Sequence, residues 1–427
     1  MDSTVITIPV SEPPVVGPPT KEKKKFKLPK IFNTIICFIK EKIRNKQDMR
    51  KLIHSIKVGV SLVLVSFLYL LNPLYERVGD NAMWAIMTVV VVFEFFAGAT
   101  VRKGLNRGMG TILGGSLGCL AAALAQKVGG IGDSIIVSIS VFIFGVAATY
   151  FRMIPSIKKK YDYGAMIFLL TFNLVVVSGI RAEKVLELAR ERLLTIGMGF
   201  AVCVFISLLV FPTWASDELH DSIASNFLHL ATSIEGCLDE YFKAVEEKEN
   251  QPTSSISNCK SVLNSKSQDE SLANFAKWEP WHGKFGLYHP WDKYLKIGDL
   301  LRELSAAILS LKDCLQSPKQ PSSTMRQSIR QPCEAVGFSL AWTLKELGES
   351  IKEMKRVQQA DMIAPKLKSM SLELSSVISS SKLEQLENVD GLAIASFIFM
   401  LMEMVEKVEK LVKEVEEFGD LAGFKDQ

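Results

Sequence analysis

Five basic side chains stand at or beside the edges of long apolar stretches in this chain: Lys57, Lys103, Arg107, Arg190 and Arg192. One carboxylate, Glu94, falls inside such a stretch. A charge at the centre of a bilayer costs between about 3 and over 10 kcal/mol, so such groups are paired or face water. Arginine presents a planar fork of donors that fits a carboxylate, and lysine a compact point charge. The chemistry available to this set is to attract an anion and let it go again. Arg107 and Arg192 directly precede uncharged runs, which predicts them at helix N-termini, where backbone N–H groups already favour anions. Interfacial anchoring is the plainer reading of both arginines, and snorkelling from the end of a span that of Lys57. For Glu94 the plainer reading is an ion pair with a nearby Lys or Arg; the alternative is a gating or ion-sensing carboxylate.

Catalytic alternatives find no support. There is no GxSxG, HExxH, Walker A loop or strand-borne GxGxxG. His282 and His289 fall in an aromatic cluster, Trp278 to Tyr294, where packing is the expected role. The seven cysteines show no ligand spacing, which argues against a disulfide framework and for a reducing compartment. No enzymatic activity, cofactor or metal site is expected.

The elements that must position these charges are six apolar stretches, at 58–75, 82–101, 108–126, 134–151, 163–180 and 193–216. Each is long enough to cross a hydrocarbon core of roughly 30 Å as a helix. Basic residues collect in alternate loops, Arg102, Lys103 and Arg107 in one, Arg152, Lys158, Lys159 and Lys160 in another, and these are expected inside. The fifth loop breaks the pattern with Arg181, Lys184, Arg190 and Arg192, mixed with acids. Gly110, Gly114 and Gly118, four apart, predict a close helix–helix seam within the subunit or between two. The echo of Gly108-Met109-Gly110 in Gly197-Met198-Gly199 suggests two triplets of spans related by inversion.

Around this membrane region, 52–216, lie two others. Residues 1–51 are first proline-rich, then strongly basic, and are expected to form a disordered cytosolic arm that orients the protein and rests on anionic lipid, not nucleic acid. Residues 217–427 are charged and amphipathic, predicting a cytosolic helical domain. Helices are expected over 217–247, 292–315 and 330–357, with a polar loop at 248–271 and a linker at 317–328. Phe397, Leu401, Met404, Val408, Leu411, Val415 and Phe418 alternate by four and three, an a/d seam that must be buried in a core or a dimer contact. The fold class is therefore all-α: an integral membrane protein with six transmembrane helices and a cytosolic helical domain.

Several blocks resemble the aluminium-activated malate transporter family of plants. They are Asn81-Ala82-Met83-Trp84-Ala85-Ile86-Met87-Thr88-Val89-Val90, Phe93-Glu94-Phe95, Lys103-Gly104-Leu105-Asn106-Arg107-Gly108, Tyr161-Asp162-Tyr163-Gly164, Phe211-Pro212-x-Trp214 and Trp278-Glu279-Pro280. The resemblance implies a homodimeric anion channel conducting malate and often chloride or nitrate, in the plasma membrane or, as the alternative, the vacuolar membrane. It implies that Lys103, Arg107 and Arg192 match basic pore positions, and that Phe205, Phe211 and Trp214 lie in a region linked to inhibition by GABA. Glu76 and Glu183 match acidic positions associated with aluminium sensing. The rival mechanism is a coupled organic-anion/proton exporter with Glu94 as the protonatable group.

Overall fold

The computed structural model describes residues 46–71, 82–179, 185–242, 254–286, 288–315, 323–357, 360–379 and 389–425. Among them all regular elements are helices: α1 (Lys46–Leu70), α2 (Ala82–Val92), α3 (Ala97–Val128), α4 (Ile131–Met153), α5 (Pro155–Gly179), α6 (Val185–Leu209), α7 (Ala215–Phe242), α8 (Ser254–Asn264), α9 (Lys266–Ala276), α10 (Trp291–Leu315), α11 (Ser323–Glu353), α12 (Ala360–Ser379) and α13 (Val389–Ala422). The packing below lies within the unit Ile56–Gln427; the first turns of α1 belong to the unit Met1–Ser55.

Four helices among the described residues are long and apolar enough to cross a membrane: Ala97–Val128, Ile131–Met153, Lys160–Ser178 within α5 and Ala189–Leu209 within α6. The expected second span, 82–101, is corrected. Its helix stops at Val92, and the chain breaks over 93–96 before restarting as α3 at Ala97. Eleven residues of α2 rise only roughly 17 Å. The break is held by Thr100: its hydroxyl accepts the Glu94 N–H at 3.0 Å and donates to the Phe96 carbonyl at 3.2 Å. Phe96 is extended (φ −94°, ψ 142°), which ends one helical path and begins another. The expected third span, 108–126, is thus only the later part of a 32-residue helix.

Turn chemistry explains the next reversals. Gly129 and Gly130 both take positive φ (67° and 64°), a region open to glycine at no steric cost, and turn α3 into α4. Ile154 is extended (φ −69°, ψ 120°), as a residue before proline prefers, and Pro155 opens α5.

The glycine seam of α3 is used within the subunit. A Cβ on Gly110 would strike the carbonyl of Gly164, and one on Gly114 would sit 2.7 Å from the carbonyl of Phe168; Gly118 faces Val175. Residues rising along α3 therefore meet residues rising along α5, so the two helices run parallel. On the other side a Cβ on Gly199 of α6 would lie 2.6 Å from the Ala85 carbonyl of α2. Val65 of α1, Ala85 and Val89 of α2, and Cys203 and Ile206 of α6 form one small core there. The third helix of each triplet thus packs on the second helix of the other, the exchange of contacts that an inverted repeat produces.

Helices α7 to α13 share one apolar core. The a/d positions of α13 from Phe397 to Phe418 are all buried in it, joined by Ile394, Ile398, Val405 and Val412. That stripe is wider than a two-stranded seam needs, because α13 meets α10, α11 and α12 at once. The expected loop at 248–271 is corrected where it is described: from Ser254 on the chain forms two helices, α8 and α9. Its serine-rich composition hid Cys259 and Val262, which, with Leu272, Ala273 and Ala276 just beyond it, are buried at helical spacing against α7 and α10. Helix α11 begins at Ser323, inside the expected linker 317–328, and carries Pro332 in its interior.

Candidate functional site

Arg107 and Arg192 do not open helices, which corrects the expectation that each adds to a helix N-terminus. Ala97 opens α3, so Arg107 lies roughly three turns inside it; Val185 opens α6, so Arg192 lies roughly two turns inside. The apolar run after each arginine concealed the helix before it. The positive field at these sites comes from the side chains themselves.

Arg107 is 5% exposed. Its Nη1 donates to the Tyr163 hydroxyl of α5 at 3.1 Å, while its Nε is buried with no hydrogen-bond partner. Lys103, one turn earlier on the same face, holds its ammonium 5.5 Å from the centre of the same Tyr163 ring. One tyrosine therefore serves two cations. Arg192 lies 5.1 Å from the centre of the Trp84 ring of α2, and its Nε and Nη1 are buried without hydrogen-bond partners. No carboxylate among the described residues forms a salt bridge with either arginine. Guanidinium groups held by an aromatic ring or a phenol keep donors for a carboxylate or other anion.

Two contacts place these groups along the α3 and α6 axes. A Cβ on Gly104 of α3 would overlap the Phe200 ring of α6. The start of α3 meets the chain just past the end of α6, where the Ala97 N–H donates to the Thr213 carbonyl at 3.1 Å. Helices α3 and α6 therefore run antiparallel and cross near Gly104 and Phe200. From that crossing Arg107 stands roughly 5 Å and Arg192 roughly 12 Å away, both on the same side.

Lys57 is 3% exposed and shares its face of α1 with buried Ser61 and Val65, the face that packs on α2 and α6. Its burial argues against the snorkelling reading. Glu94 lies in the break between α2 and α3, not within a span, and its carboxylate meets the Lys103 ammonium at 2.5 Å. Arg190 is exposed on α6. Glu76 and Glu183 lie outside the described residues. Phe205 and Phe211 are exposed, and Phe211 takes φ 43°, a left-handed conformation unusual for a bulky residue, where the chain turns out of α6.

The same turn joins the membrane helices to the helical region. Glu279 accepts the Ala215 and Ser216 N–H groups at 2.6 and 3.2 Å and the Ser216 hydroxyl at 2.6 Å, so one buried carboxylate caps α7. His282 stacks on Trp214 with ring centres 3.7 Å apart. Phe96, at the start of α3, stacks on Phe275 of α9, and the Arg102 guanidinium lies 5.9 Å from that ring. His289 is packed among Phe285, Trp291, Tyr294 and Phe418, as the packing reading predicts.

Sequence reasoning missed Trp84, Tyr163 and the capping role of Glu279, although all three stand in the blocks that carry the family resemblance. Aromatic residues near span ends ordinarily mark the membrane interface, so nothing local distinguished these as cation partners.

Residues 44–384 match the family described as Aluminium activated malate transporter. The chain is 43% identical over 373 residues to aluminum-activated malate transporter 13 of Arabidopsis thaliana, an alignment covering 84% of this chain and 68% of that protein. It is 43% identical to number 14 of the same plant, over 78% of this chain and 62% of that one. With number 12 the identity is 46%, over 72% and 55%. The chain thus spans from about half to two thirds of these relatives' lengths. A family match over most of the chain, together with several long apolar helices, makes this a multi-pass membrane protein of a transporter and not an enzyme family: the chain belongs to the aluminium-activated malate transporter family.

Proposed function

We propose that the chain is a passive anion channel that conducts malate, with chloride and nitrate beside it, down the membrane potential. In this reading 1–51 is a cytosolic arm, 52–216 a six-span pore domain and 217–427 a cytosolic helical domain, and two copies form the working unit. The observation that carries it is the pair Arg107 and Arg192: two guanidinium groups inside membrane helices, on one side of the α3–α6 crossing, each with buried donors left over and no carboxylate salt bridge. An isolated charge there is costly, so such an arrangement is tolerated where water and a passing anion complete it. The parallel pair α3–α5 and the packing of α6 on α2 support six spans, with α1 and α2 completing the first triplet. The printed names of the relatives supply malate as the anion, and the plasma membrane is the proposed location.

Coupled proton export is the weaker reading because the Glu94 carboxylate is already engaged by the Lys103 ammonium in an ion pair. Purified protein in planar bilayers decides between them. Under a malate gradient the reversal potential of a channel follows the anion's Nernst value at every pH. A reversal potential that moves with the proton gradient overturns the channel.

A further inference from the structure

Besides its arginines, the membrane region has a concavity with a different chemistry. A groove of about 630 Å³ runs between α3, α4 and α5. Its hollow exists because small residues, Gly110, Ala148, Gly164 and Ala165, line up where three helices meet, while Phe144 and Phe168 form its walls. On each helix the lining spans eight residues, 106 to 113, 144 to 151 and 161 to 168, so the groove is roughly 10 Å long. Its rim is open: Leu113 and Phe151 are more than half exposed. An apolar groove on the outside of membrane helices must be covered by a tail, a partner helix or lipid in passing.

Charge at the mouth selects among these. The end of the groove marked by Asn106, Phe151 and Tyr161 is the α4–α5 turn, at the limit of both candidate spans. There the Lys160 carbonyl accepts from Asn106 at 3.1 Å and from Arg102 at 3.3 Å, which draws the start of α5 against α3. Lys158 and Lys160 are exposed at that turn. The carboxylate there, Asp162, is taken by Arg152 at 2.8 and 3.3 Å. Lys158 in the first turn of α5 and Lys160 just after it add to the positive end of the helix dipole, an unfavourable placement unless an anion sits there. We propose that the groove holds one acyl chain of an anionic glycerophospholipid, whose phosphate rests on Lys158 and Lys160. The apolar slot and the cationic mouth are adjoining parts of one site, as a single lipid requires.

The test uses the full chain, purified in detergent and offered phosphatidylglycerol or phosphatidylcholine, with bound lipid counted by native mass spectrometry. Wild type is expected to retain one phosphatidylglycerol per chain through washing that strips phosphatidylcholine. Lys158→Gln and Lys160→Gln should each weaken retention about fivefold. Ala165→Phe and, on the opposite wall, Ala147→Leu fill the groove and should abolish retention with both lysines intact; the two plugs guard against one of them misfolding. Equal retention of the two lipids overturns the proposal. So does retention that responds to the lysines but to neither plug, which would mean surface attraction alone. A plug that instead splits a dimer would assign the groove to a second copy and overturn it as well.

Discussion

The Arg192 guanidinium lies 5.1 Å from the centre of the Trp84 ring and leaves Nε and Nη1 buried without hydrogen-bond partners. The ring supplies attraction without neutralising charge, so the cation is positioned yet still available. A carboxylate in its place would have formed a closed salt bridge and removed the site's affinity for anions.

Arg192→Ala and Arg107→Ala are each expected to lower malate current at least tenfold with normal surface expression. Trp84→Phe should cost less than Trp84→Ala, since phenylalanine keeps a weaker π face, worth about 1 kcal/mol. Voltage clamp with surface biotinylation checks this, and wild-type currents in both arginine variants would remove them from the conduction path.

Glu94 and Lys103 form a half-exposed pair, which contributes about 1 kcal/mol or less to stability. Its expected effect is on charge. Glu94→Gln frees the ammonium and should raise anion current about twofold, whereas Lys103→Gln should lower it. Opposite outcomes in single-channel recordings would show that the pair holds the α2–α3 break and does not tune the field.

Packing makes a graded prediction along α3. Gly110→Val and Gly114→Val place side chains into the Gly164 and Phe168 backbone and should destabilise by about 3 kcal/mol or more. Gly108→Ala and Gly115→Ala point into open space and should be tolerated. Thermal unfolding followed by size-exclusion chromatography ranks the four; tolerance at Gly114 would place the seam elsewhere.

Removing the cap on α7 should loosen the link between the two helical regions. Glu279→Gln keeps the size but loses the charge-assisted bonds to Ala215 and Ser216, at about 1 to 3 kcal/mol. Hydrogen exchange at the first turn of α7 is the readout, and unchanged protection there would deny the cap.

Acid should weaken the core of α7 to α13. Burial pushes the imidazole of His289 down to about 4 and lowers that of His220, which shares the Tyr294 hydroxyl with it. Both are then neutral in the folded state where the unfolded chain binds protons, so stability is full above about pH 6.5 and falls toward pH 4. The melting temperature of the full chain, followed by tryptophan fluorescence, should drop over that window, and His289→Gln should flatten the drop. A flat profile in wild type would place the acid sensitivity elsewhere.

Much of this architecture is written locally. Period and length marked α4, α5 and α6 as apolar enough to span, the four-residue glycine spacing announced a close seam, and the four–three alternation in α13 announced a buried face. Each is a property of consecutive residues on one helix, visible without knowing the partner. The break at 93–96 was not visible, because nothing in Phe93-Glu94-Phe95-Phe96 forbids a helix; it depends on Thr100 and on Thr213, far along the chain. Helices α8 and α9 were hidden because their composition reads as loop and their stability comes from burial against α7 and α10.

By itself the sequence determined that this is a helical membrane protein with cations beside its spans, and it marked Lys57, Lys103, Arg107 and Arg192 as those to watch. Hydropathy and charge are additive along a chain, so they survive without coordinates. Only the tertiary structure decided what those cations meet: Tyr163 between Arg107 and Lys103, Trp84 under Arg192 and Glu94 closing on Lys103, with Lys57 buried. Whether a buried charge is neutralised or kept open depends on which side chains another helix brings within about 5 Å of it, and no local pattern encodes that.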